Sequence, residues 1–147
     1  MFEQDAIAAF LGNWSAQLNF SSVVLRMALA VVMGAIIGCE RSSKRHSAGL
    51  RTFILVAMAA TTAMLIDQVL FAVTGANIPV ISAAAVISVA LISGNSILFS
   101  SRNQIKGLTT SAGLWACGII GLTAGAGMYT VTLAAFFAML VIISLFP

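Results

Sequence analysis

Residues 34–52 read GAIIGCERSSKRHSAGLRT. The chain holds seven basic and four acidic residues among 147, and five of these stand in this one stretch: Glu40, Arg41, Lys44, Arg45 and Arg51. Apolar runs flank it on both sides. Charged residues make up 7% of the chain and hydrophobic ones 61%, whereas soluble domains carry roughly 25% charge. A chain so poor in charge reads as an integral membrane protein. Its Lys and Arg then report orientation and give no evidence for nucleic-acid binding. The quoted stretch is a loop between two spans.

Working outward, the first span covers 22–39 and the second 49–71. TGANIP brings Gly75, Asn77 and Pro79, all turn formers, before a third span at 80–99. SSRNQIKG separates it from a fourth at 108–124, and GAGM from a fifth at 129–146. These runs match the ~18–20 apolar residues that a crossing needs. Ahead of them, residues 4–18 place Ile7, Phe10, Leu11, Trp14 and Leu18 at helical spacing. That segment is too polar to cross and suits the membrane interface. Glu3 and Asp5 stand where a secretory signal would be basic. The predicted fold is all-α: a polytopic membrane bundle of five transmembrane helices (22–147), preceded by an amphipathic interfacial helix (1–21).

Five crossings put both basic loops on one side: Arg41, Lys44, Arg45, His46 and Arg51 in the first, Arg102 and Lys106 in the second. By the positive-inside rule that side is the cytoplasm, with the N-terminus outside and the C-terminus cytoplasmic. Small residues recur along the spans, with Gly34 and Gly38, Gly121 and Gly125 as GxxxG pairs and Gly94 in span three. Such residues let helix backbones approach closely in lipid. They serve packing inside one subunit, with a homo-oligomer interface as the alternative. Cys39 and Cys117 read as small buried hydrophobes.

Two ionisable residues fall inside apolar runs, Arg26 and Asp67, both toward the outer side. An Arg26–Asp67 pair would neutralise charges that cost ~2.5–3.5 kcal/mol each at the centre of a span. At the inner end, Glu40 and Arg51 face the same option. Either the pairs clamp the helix hairpin, or one carboxylate faces a polar cavity.

GAIIGCERSSKRHSAGLRT resembles the signature of the MgtC/SapB family of bacterial inner-membrane proteins, at Gly34, Gly38, Glu40, Arg41, Arg45, Ala48, Gly49, Leu50, Arg51 and Thr52. KGLTTSAGLW is a second match, at Gly107, Leu108, Thr109, Thr110, Ala112 and Trp115, followed by a glycine-rich turn ending in Tyr129. The resemblance spans about 22–146. It departs at Phe53, where the family carries His. It departs at Asn77, where an Asp-Pro-x-Arg stretch keeps only the proline. It departs around Gly94, where a glycine-rich run is thinned. Many members carry a further soluble domain, which a chain ending at Pro147 is expected to lack. The resemblance implies a regulator linked to virulence, survival in macrophages and growth in low magnesium. It implies inhibition of the F-type ATP synthase, with magnesium transport as the family's other proposal.

The residues themselves offer no enzyme. His46 is the sole histidine, which removes a histidine metal cluster and a catalytic triad. The acidic residues are too dispersed for a carboxylate pair. GLTAGAG lacks the Lys of a phosphate loop and reads as a turn. No cofactor or metal is expected. Gly49-Leu50-Arg51-Thr52 and Gly107-Leu108-Thr109-Thr110 open two helices on the same side as an internal repeat. They are expected to form a cytoplasmic polar cluster of Glu40, Arg41, Arg45, Arg51, Thr52, Thr109 and Thr110, with Thr52 or Ser47 capping helix amides. Thr61, Thr62, Ser88, Ser93, Asn95 and Ser111 give the spans polar groups but no charge at mid-depth. That favours a regulator binding the bilayer and another membrane complex over a cation transporter or channel subunit for Mg2+ or H+.

Overall fold

The computed structural model describes residues 5–43, 48–75, 78–99 and 105–145. Helices α1 (Ala6–Leu11) and α2 (Asn13–Ala16) precede five apolar helices: α3 (Phe20–Ser43), α4 (Leu50–Thr74), α5 (Val80–Gly94), α6 (Leu108–Gly125) and α7 (Tyr129–Leu145). Strands β1 (Leu98–Phe99) and β2 (Ile105–Lys106) form a short antiparallel ladder between α5 and α6. The chain is thus an all-α bundle with one small hairpin.

Side-chain contacts fix the helix directions. Gly34 and Gly38 of α3 lie against Ile54 and Leu50 of α4, and Arg26 meets Gln68, so α3 and α4 are antiparallel. Phe53, Ala57 and Thr61 of α4 face Cys117, Gly121 and Gly125 of α6 in the same order, so α4 and α6 are parallel. Asp67 meets Ser82, and Val89 meets Gly118, which sets α5 antiparallel to both. Thr123 meets Thr132, and Gly113 meets Met139, which sets α7 antiparallel to α6. The chain passes back and forth five times, as the spans predict. The end of α3 and the starts of α4 and α6 share one face of the bundle, called here the basic face. The start of α3, the end of α4 and the start of α5 share the far face.

α3, α4 and α6 are long and apolar enough to cross a membrane. With 15 residues, α5 rises only ~22 Å against a hydrocarbon thickness of ~30 Å. The predicted third span ran on to residue 99, and the chain stops it at Gly94. Ser93, Asn95 and Ser96 favour local turns over helix. Ser96 donates its amide (3.1 Å) and its hydroxyl (2.7 Å) to the Ser93 carbonyl, and Ile97 donates to Gly94. Gly107 closes the hairpin at φ 93°, a backbone angle that suits glycine. The first span overshoots its prediction, because α3 continues to Ser43 and carries Glu40 and Arg41 in its last turns.

The core forms where α3, α4, α6 and α7 meet, around Ala30, Met33, Ile37, Phe53, Leu114, Cys117 and Phe136. Branched and aromatic residues such as Val32, Leu55, Val73, Ile87, Phe137 and Val141 are exposed outside it. That inside-out pattern is what a lipid solvent selects. The amphipathic N-terminus breaks at Gly12 into two short helices that lie over the far face, leaving Phe10 and Trp14 exposed.

Candidate functional site

The far face gathers two of the three buried charges among the described residues. Arg26 and Asp67 are almost wholly buried, and the predicted pair between them is not formed. Arg26 Nη1 donates to Gln68 Oε1 (2.8 Å) and to the Gly125 carbonyl (2.9 Å). Its Nη2 donates to the Ser15 carbonyl (3.0 Å). Asp67 accepts from the Ile81 amide at Oδ1 (3.0 Å), and from the Ser82 amide (2.7 Å) and hydroxyl (2.6 Å) at Oδ2. The physical reason is helix polarity. Asp67 meets the N-terminus of α5, whose first amides lack intrahelical acceptors, and Arg26 meets the C-terminal carbonyls of α6. Asp67 thus finds its partners at the start of α5, and Arg26 finds some of its own at Gly125, Gln68 and Ser15, rather than in each other.

Residues to which the sequence reading gave no role at this site complete this end. Tyr129 Oη donates to the Ser15 carbonyl (3.2 Å), which Arg26 also uses. Gly127 turns at φ 78° directly over the guanidinium, where a Cβ would stand 2.8 Å from Nη2. Asp5 accepts from the amide (3.0 Å) and the hydroxyl of Thr130 and so ties the N-terminal segment to the first turn of α7. Burial works against the charged form of Asp5. The Thr130 hydroxyl and amide, with the Ile7 and Ala8 amides, outweigh it and hold the carboxyl below its usual range. Nothing in the local sequence around Ser15 or Thr130 marks them, since their partners lie far along the chain.

Mid-depth, the glycine pairs set the packing. A Cβ on Gly34 would meet the Phe53 carbonyl at 2.9 Å, on Gly38 the Leu50 Cα at 2.7 Å, and on Gly125 the Thr61 carbonyl at 2.7 Å. Gly121 sits closer still to the Ala57 carbonyl. α4 is thus clasped by α3 on one side and α6 on the other, within one subunit. Thr61 Oγ1 donates to the Ala57 (2.9 Å) and Gly121 (2.7 Å) carbonyls. Gly94, expected to pack, has open space around it at the end of α5.

The basic face differs from the expected polar cluster. Arg45, with Lys44, His46 and Ser47, lies outside the described residues, as does Asn77. Gly49 and Gly107 begin α4 and α6 with no side-chain cap, so the expected capping by Thr52 is absent. Arg51 is exposed and Thr52 half-buried; Thr110 is buried, and Glu40, half-buried, precedes Arg41. Arg41 is 3% exposed. It lines a cavity of about 340 Å³ with Thr109 and with small and apolar residues of α6 and α7. The two helix starts do share a face, but Arg41 and Thr109 build the cavity, and Glu40 and Arg51 stay out of it.

Residues 27–147 match the MgtC family. The chain belongs to the MgtC family. Among relatives, it is 35% identical over 112 residues to the putative magnesium transporter YhiD of Escherichia coli K12, covering 72% of this chain and 52% of that one. It is 35% identical over 102 residues to protein MgtC of Brucella abortus strain 2308, covering 69% and 42%. To protein MgtC of Salmonella typhimurium it is 33% identical over 112 residues, covering 76% and 47%. The chain spans about half the length of the curated relatives it matches. No solved structure matches it. The MgtC match runs from Met27 of α3 through α7, with α1, α2 and the start of α3, including Arg26, falling outside it.

Proposed function

We propose that the chain is a small regulatory protein of the bacterial inner membrane that acts by binding another membrane complex, with a role in magnesium-related adaptation. The F-type ATP synthase is the partner that the family resemblance implies. The single observation that carries the preference for a regulator is the closed seam at mid-depth. There α4 meets α3 and α6 through glycine-to-backbone contacts, and Thr61 spends its hydroxyl on carbonyls inside the bundle. The buried carboxylate, Asp67, uses both oxygens on α5. A cation path needs polar groups free to coordinate along the way, and these are committed. The basic face is taken as cytoplasmic.

The name of the Escherichia coli relative, a putative magnesium transporter, favours the second reading: a cation transporter or channel subunit. Proteoliposomes separate the two. The regulator reading expects no magnesium or proton flux from purified protein, and crosslinking in native membranes that captures ATP synthase membrane subunits. Flux well above protein-free vesicles overturns it.

A further inference from the structure

Two buried guanidinium Nε atoms lack an acceptor among the described residues, those of Arg26 and Arg41. Arg26 is bonded through both Nη atoms, whereas Arg41 faces a cavity. Glu40, its chain neighbour, attracts it electrostatically without such a bond. A buried N–H without an acceptor costs free energy, and an anion in the adjoining cavity would supply one.

The cavity that Arg41 lines says what that is. Thr109 brings the uncapped N-terminus of the 18-residue α6 to the same space, and such an end favours anions. The rest of the lining is apolar: Ala112 and Ala116 of α6, Ala138 and Ile142 of α7. The polar end lies level with the last turn of α3, where charged residues end the span, and the apolar part runs along α6 and α7 toward mid-depth. At about 340 Å³ the cavity holds roughly eleven groups the size of a water or methylene. The cavity is open on one side and lined by small residues, so an extended chain can lie along it.

We propose that this cavity between α3, α6 and α7 binds one anionic phospholipid, its phosphate held between Arg41 and the start of α6 and its acyl chain laid between α6 and α7. The site stands whether the chain regulates a complex or moves an ion, since it lies apart from the mid-depth seam.

Native mass spectrometry of the detergent-purified full chain tests it, with phosphatidylglycerol and phosphatidylcholine of identical acyl chains as probes and inorganic phosphate as competitor. The expected result is retention of phosphatidylglycerol about tenfold over phosphatidylcholine, the ratio of one charge-assisted contact. Arg41→Gln should abolish that preference, and Arg51→Gln, whose side chain is exposed, should keep it. Ala138→Phe, which fills the trough from an exposed position, should lower retention of both lipids. This variant also carries the test if Arg41→Gln does not fold. Equal retention of the two lipids, a preference that survives Arg41→Gln, unchanged binding in Ala138→Phe, or displacement by equimolar phosphate each overturns the proposal.

Discussion

Gly125→Ala isolates the close approach of α4 and α6. The added Cβ would stand 2.7 Å from the Thr61 carbonyl oxygen and 2.9 Å from the Met64 Cβ, against an ordinary contact that begins near 3.4 Å. Backbone and a side-chain root cannot yield as a flexible tip would, so the helices must part by about 0.7 Å in a close-packed interior. Moving α6 would also strain the bond from Arg26 of α3 to the Gly125 carbonyl, now 2.9 Å. Overpacking costs ~1–3 kcal/mol, and an interhelical bond in a membrane averages ~0.6 kcal/mol, so the variant should lose about 2–4 kcal/mol. Thermal unfolding in one detergent should then show a midpoint lower by on the order of 10 °C. Gly94→Ala is the matched control, since among the described residues no packing partner lies within 4 Å of its new Cβ, and its midpoint should barely move. A Gly125→Ala protein as stable as the parent, or a Gly94→Ala protein equally damaged, would refute the packing argument.

Arg26→Lys keeps the charge, but one ammonium replaces a fork that reaches Gln68, Gly125 and Ser15. It should cost about 3 kcal/mol and expose the N-terminal segment to protease, and the exchanged Arg26→Asp/Asp67→Arg chain should not recover. Asp67→Ala strands the first amides of α5 and should cost about 2–4 kcal/mol, read as faster hydrogen exchange at Ile81 and Ser82; unchanged exchange there counts against the cap. Asp5 gives a pH dependence. Its folded carboxyl titrates below the usual 3.8, so its contribution is fully present above that value and is lost as pH falls through the lowered one. Trp14 fluorescence should report release of the N-terminal helices in that acid range, and Asp5→Asn should remove the transition.

The sequence alone determined the solvent and the number of apolar helices. Transfer to lipid is a property of each residue summed over a segment, so five apolar runs and two basic connections are legible locally. The GxxxG spacing likewise announced close approach, because four-residue repeats share a helix face. Only the tertiary structure decided who meets whom. Arg26 and Asp67 looked like partners because opposite charges attract. The structure spends them on the ends of α6 and α5, whose positions depend on packing that no local window contains. The extent of a helix at a polar boundary was equally undecided. One added turn of α3 moved Arg41 from a solvated loop to the wall of an apolar cavity, and turn-forming serines cut α5 short so that Gly94 packs against nothing. Hydropathy is additive along the chain, whereas hydrogen bonds and contacts are directional and join segments as far apart as Arg26 and Gly125, which is why the first could be read and the second had to be seen.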